Sequence, residues 1–151
     1  GVGVAGWDSV LPFGLLIHKQ KAFADIRTSN GLQRLFSSDL TLNKWHHLAT
    51  IWDGSISKTR LYVDGIEVPN SPKSITGTLV SPSLVLIGKS NSYYFNGLID
   101  EVRIYNAAIP TAQIQQHYVQ GLEKLLANKA ISPTEYSQRM AELGKLLADK
   151  Q

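Results

Sequence analysis

The stretch that decides the fold is Leu42-Asn43-Lys44-Trp45-His46-His47-Leu48-Ala49-Thr50-Ile51-Trp52-Asp53-Gly54, followed by Arg60-Leu61-Tyr62-Val63-Asp64-Gly65-Ile66-Glu67-Val68. Trp45 to Trp52 reads as a long strand ended by Asp53-Gly54, with Trp45 in the core. Arg60 to Val63 is a second strand, and Asp64-Gly65 turns it directly into Ile66-Glu67-Val68. An Asp-Gly pair accepts the positive φ angles of a two-residue hairpin turn, so this is the strongest hairpin signal in the chain.

Upstream, Gly14 to His18 and Lys21 to Arg27 are further short runs. In the second, Phe23, Asp25 and Arg27 alternate with Ala22, Ala24 and Ile26, as in a half-buried strand. Ser29-Asn30-Gly31 supplies a turn. Downstream, a Pro- and Ser-rich loop from Pro69 to Pro82 leads to expected strands at Leu84 to Ile87 and Phe95 to Tyr105. Closely spaced strands separated by turns indicate an antiparallel sandwich, here of about eight strands.

The period changes near Pro110. Ile114, Tyr118, Leu122, Leu125 and Leu126 form one helical stripe. Ser132-Pro133-Thr134-Glu135 is a capping box with Pro at the first helical position, so a second helix starts there, after a turn at Asn128 to Ile131. Its stripe is Tyr136, Met140, Leu143 and Leu147, a heptad-like seam and the candidate for subunit contacts. The expected architecture is mainly β: an antiparallel β-sandwich over residues 1–118, followed by a two-helix C-terminal tail over 119–151.

Composition narrows the function classes. A chain of 151 residues has room for one domain with a real core, and 43% hydrophobic with 18% charged residues marks a globular protein. The net charge is only +3 and the basic residues are scattered, which excludes a nucleic-acid partner. With no cysteine, disulfides, Cys-ligated zinc and thiol chemistry are excluded together. No apolar run approaches the ~18 residues of a membrane span, so this segment does not insert into a bilayer. The start, Gly1-Val2-Gly3-Val4-Ala5-Gly6-Trp7, is not a signal peptide and reads as the middle of something longer.

The runs Leu42 to Ala49, Trp52 to Gly54 and Leu61 to Gly65 resemble the laminin-G-like branch of the concanavalin A-like lectin superfamily. Phe95-Asn96-Gly97-Leu98-Ile99-Asp100-Glu101-Val102-Arg103-Ile104-Tyr105-Asn106 is similar to that family's closing strand, and Thr111 to Tyr118 to the short helix after it. The resemblance implies a jelly-roll sandwich, a fold that hosts lectins, adhesion modules, glycosidases and inert spacers alike. Members of the family begin with further strands before the one matching Gly14 to His18. Their absence implies a sandwich open on one side: either this is a piece of a larger polypeptide, or another chain supplies the missing strands. The tail is similar to a two-helix module attached to bacterial proteins. Ile114 to Gly121 resembles the end of such domains on pilin-like surface proteins of small-genome bacteria. An extracellular or cell-surface setting in a bacterium is the expectation.

Catalysis finds little support. Asp100 and Glu101 are the only adjacent carboxylates, and on a strand they would face opposite ways. The Glu-x-Asp-x-x-Glu spacing of lectin-fold glycosidases is missing, and Glu101 with Arg103 reads as a same-face ion pair. His46-His47 lacks a metal-ligand spacing and reads as structural. Calcium is the one cofactor the resemblance admits, with Asp53, Asn96 and Asp100 as oxygen donors. For a ligand, the polar aromatic loop Ser90-Asn91-Ser92-Tyr93-Tyr94 can stack on a sugar ring while Asn91 donates hydrogen bonds; Trp52 is a second candidate. The leading expectation is a non-catalytic recognition module that binds glycan or protein or forms the displayed head of an appendage. The alternative is an assembly subunit whose open sandwich and tail make subunit contacts. A remnant glycoside hydrolase comes last.

Overall fold

The computed structural model describes residues 13–80, 85–90 and 93–148. Three strands, β1 (Phe13–His18), β2 (Lys21–Thr28) and β3 (Gly31–Asp39), form one antiparallel sheet in that order. A second sheet holds β4 (Leu48–Asp53), β5 (Lys58–Val63), β6 (Ile66–Glu67) and β7 (Lys73–Ser74), with β5 pairing β4, β6 and β7. A small hairpin, β8 (Lys89–Ser90) with β9 (Tyr93–Tyr94), precedes α1 (Thr111–Ala127) and α2 (Pro133–Ala148). The antiparallel sheets and two C-terminal helices are the expected architecture.

Alternation explains how the layers stack. Ala22, Ala24 and Ile26 of β2 point inward and are fully buried. Ala24 and Leu35 meet Leu61 and Val68 from the second sheet, closing the space between the layers. Each fully buried aliphatic side chain of this size contributes roughly 1.5–3 kcal/mol of transfer free energy. The opposite face of β5 is also covered, because Tyr62 and Ile51 pack against Ile114 of α1. The Tyr62 hydroxyl and the Thr111 hydroxyl lie 2.8 Å apart at the start of that helix.

The tail is docked, not appended. Tyr118 and Leu122 of α1 pack with Ile131 and Leu143, and Ile66 of β6 joins them from the sheet. Tyr136 and Met140, assigned to subunit contacts from sequence, border this same cluster, and Leu143 is one of its members. The Leu147 side chain lies outside the described residues. The α2 cap is as expected: the Glu135 amide donates to the Ser132 hydroxyl at 3.1 Å.

The two Asp-Gly sites behave differently. Asp64 and Gly65 both have positive φ, 52° and 78°, and join Val63 to Ile66 in a two-residue turn. Asp53 accepts hydrogen bonds from the Ser55 amide at 3.0 Å and the Ser55 hydroxyl at 2.5 Å, making a longer turn before β5.

Three expectations need correction. The strand expected from Trp45 begins only at Leu48, and Trp45 is half-buried, not a core residue. The His46 ring and the His47 amide are held by the side chain of Asp64, which fastens this stretch to the Asp64-Gly65 turn. Residues 85–87 are not in a strand, and Val85 and Ile87 are exposed; Leu84 lies outside the described residues. Phe95 to Tyr105 forms no ladder among the described residues. Glu101 sits at φ 53°, which breaks the alternation that a strand requires. Strand β3, by contrast, carries no clear alternation in its sequence, because Gln33-Arg34 and Ser37-Ser38 interrupt its apolar rhythm.

Candidate functional site

Of the stacking loop expected at residues 90–94, Ser90 belongs to β8 and Tyr93 and Tyr94 to β9, and the two strands pair antiparallel as a hairpin. Gly88, at φ 74°, leads into it, and the Phe95 amide closes it by donating to the Gly88 carbonyl at 2.8 Å. Tyr94 is 68% exposed, an unusual position for a large ring that has not been driven into a core. The Lys89 ammonium lies 5.2 Å from its ring centroid, a cation–π contact. Asn91 lies outside the described residues, and of Tyr93 only the backbone is described.

Trp52 is placed differently. It pairs with Thr59, which is buried between the sheets, and its six-membered ring lies over Gly54: a Cβ added there would come within 2.7 Å of it. Gly54 is therefore small because the indole occupies the space above the turn. The ring is half-buried, and the structure does not bring it together with the Tyr94 hairpin through any described contact.

Asp53, Asn96 and Asp100, the donors expected for calcium, are joined to one another by no hydrogen bond among the described residues. Asp53 is engaged by Ser55, whose hydroxyl holds its carboxyl below the usual carboxylate range. Asp100 accepts from the Glu101 amide at 2.8 Å and from the Lys124 ammonium at 3.2 Å, while Asn96 is exposed. Among the described residues no group of three or more His, Asp or Glu side chains could hold a metal.

Asp100 and Glu101 do converge, against the strand-based expectation, because the left-handed backbone at Glu101 turns both carboxylates to one side. The Lys124 ammonium reaches Glu101 at 2.6 Å and Asp100 at 3.2 Å. Arg103 donates to Glu101 at 2.9 Å, the ion pair read from sequence. Lys124 lowers both carboxyls, and they in turn raise the Lys124 ammonium. All of these groups are solvent-exposed, so the cluster adds little stability.

His46 is held at both ring nitrogens: Nδ1 lies 2.8 Å from Asp64 Oδ2, and Nε2 lies 3.0 Å from the Thr41 carbonyl. The His47 amide donates to the other Asp64 oxygen at 2.9 Å, and the His47 ring packs against Tyr118 at a centroid distance of 6.1 Å.

Sequence reasoning missed one constellation, on the outward face of β1–β2–β3. Asp25 is 0% exposed and receives two hydrogen bonds from Arg34, at 2.6 and 2.5 Å. Phe23 and Phe36 lie beside this pair with centroids 6.0 Å apart. The Lys73 ammonium, donating to the Arg34 carbonyl at 3.0 Å, sits 5.9 Å from the Phe36 centroid. The signal was available in the Ser29-Asn30 turn, whose register sets Asp25 opposite Arg34 and Phe23 opposite Phe36.

A two-sheet antiparallel sandwich with a docked helical pair defines a β-sandwich of the lectin-like class. Residues 13–115 match the laminin-G type 3 model, described as the concanavalin A-like lectin/glucanases superfamily, and the chain belongs to that family. The superfamily contains both non-catalytic binding modules and glycosidases. No curated protein matches the chain. Among solved structures, an S-layer domain-containing protein (residues 221–444) from Clostridium thermocellum is similar at 26% identity with a TM-score of 0.44, over 65% of this chain and 51% of that one. The chain thus spans about half the length of that structure. No helix among the described residues is long and apolar enough to cross a membrane.

Proposed function

We propose that the protein is a non-catalytic recognition module of the cell surface that binds a glycan or protein ligand through the β8–β9 hairpin. The observation that carries this reading is Tyr94, whose exposed ring stands on a two-stranded hairpin beside the Lys89 ammonium. Such a ring offers a flat apolar surface to the C–H face of a sugar, while a neighbouring cation or amide takes its hydroxyls. The carboxylates argue in the same direction. A glycosidase acid needs a raised pKa, whereas Lys124 holds Asp100 and Glu101 low. Tyr94→Ala is expected to weaken ligand binding on a glycan array about tenfold, the order of a lost aromatic contact, with thermal stability unchanged. A folded wild-type protein that retains no glycan, and no protein in a pull-down, overturns the reading.

A second reading, an assembly subunit, is favoured by one feature. Leu98, Ile99, Val102 and Ile104 are 77%, 48%, 51% and 73% exposed, on a segment without a ladder partner among the described residues. Such a segment is a template for strand addition by another chain. This reading predicts concentration-dependent association in sedimentation velocity. A monomer across the accessible concentration range excludes it.

A further inference from the structure

We propose that His46 is a pH-sensitive latch, held as the imidazolium, that fastens the 41–47 loop to the Asp64-Gly65 turn and releases as pH rises. The geometry carries this. A neutral imidazole has one N–H donor and one lone-pair acceptor. Here both nitrogens face acceptors: the Asp64 carboxylate at 2.8 Å and the Thr41 carbonyl at 3.0 Å. Only the cation donates at both ends. Whichever proton the imidazolium loses, one nitrogen is left with its lone pair aimed at an oxygen.

The latch joins three pieces of the fold. Asp64 lies in the β5–β6 turn, and besides His46 it receives the His47 amide at 2.9 Å. Arg139 of α2 donates to the Trp45 carbonyl at 2.7 Å, and Glu135 of α2 pairs with Lys44 at 3.2 Å and with Arg139 at 2.7 Å. The loop carrying His46 is therefore the strap between the second sheet and α2. The charged groups acting on the ring are Asp64, which favours its protonation, and Arg139, which opposes it; the carboxylate wins. His47 next to it goes the other way. Burial lowers it, Asp64 offsets this only in part, and His117 and Arg103 lower it further. Tyr118, against the His47 ring, is pushed up to about 12 by burial and stays a neutral phenol.

The signs of the two neighbours are opposite. His46, raised above 6.5, contributes stability that is complete below 6.5 and is lost as pH rises through its folded value. His47, lowered below 6.5, contributes a penalty that appears as pH falls from 6.5 through its folded value. Loop fastening is therefore greatest on the mildly acidic side of neutrality, before His47 begins to charge.

Imidazole NMR titration tests this on the whole chain, together with hydrogen exchange of the 41–47 amides corrected for the intrinsic pH dependence. The expected result is a His46 midpoint above 6.5 with both ring nitrogens protonated below it. Exchange in the loop should then rise about fivefold across that midpoint, the scale of one lost hydrogen bond. His46→Gln should remove the pH step in exchange. Asp64→Asn, which keeps a residue suited to positive φ before Gly65, should bring the His46 midpoint down and move the exchange step with it. A His46 midpoint at or below 6.5 overturns the proposal, as does loop exchange that is the same on both sides of the midpoint. If His46→Gln fails to fold, Asp64→Asn alone decides: an unmoved exchange step sinks the latch.

Discussion

Arg34→Leu is expected to destabilise the protein by about 3–5 kcal/mol, the cost of stripping a bidentate partner from a buried carboxylate. Asp25 is 0% exposed, and the guanidinium contacts it at 2.6 and 2.5 Å with nearly parallel forks of donors. The pair raises the Arg34 guanidinium further, through the hydrogen bond to Asp25 first. Arg34→Lys should recover only part of the loss, since an ammonium cannot match the two carboxylate oxygens at once. Asp25→Asn with Arg34→Leu should cost less than Arg34→Leu alone, because the charge left behind is removed. Urea denaturation of the four proteins at pH 7 measures each difference. A wild-type-like midpoint for Arg34→Leu would show that the pair is not a structural element of the first sheet.

Leu122→Ala should cost about 2–5 kcal/mol, the range for removing a buried leucine side chain and leaving a partly collapsed cavity. Leu122 is 1% exposed, among Tyr118, Ile131 and Leu143. The informative comparison is Leu61→Ala, a fully buried residue between the two sheets. Because Ile66 joins the helical cluster and Ile114 joins Tyr62 and Ile51, the tail and the second sheet share packing. Both variants should therefore lower one common thermal transition seen by far-UV and near-UV circular dichroism. Two separated transitions in Leu122→Ala would mean that the helices unfold apart from the sandwich.

The site was only partly legible for a physical reason. Chemistry-bearing residues show in sequence by type and spacing, but what they do depends on partners brought from elsewhere. Asp100 and Glu101 illustrate this. Their adjacency forbids cooperation on a strand, and the conclusion fails because the local backbone is left-handed at Glu101 and a helix delivers Lys124 to both. Tyr94 illustrates the same limit: type and spacing admit both a ring packed over a strand end and an exposed one, and the tertiary structure leaves it 68% exposed.

By itself the sequence determined what is local. Asp64-Gly65 dictates a two-residue turn, because its residues tolerate positive φ at both positions. Ser132 and Glu135 set the start of α2, and period-two alternation in β2 sorts Ala22, Ala24 and Ile26 to the inside. Tertiary structure decided the rest. It buried Asp25 under Arg34, it turned the Tyr136, Met140 and Leu143 seam inward onto α1, and it left Phe95 to Tyr105 without a ladder among the described residues. Turns and caps are satisfied by atoms a few residues away, whereas a strand, a buried charge and an apolar seam take their roles from whichever distant surface meets them.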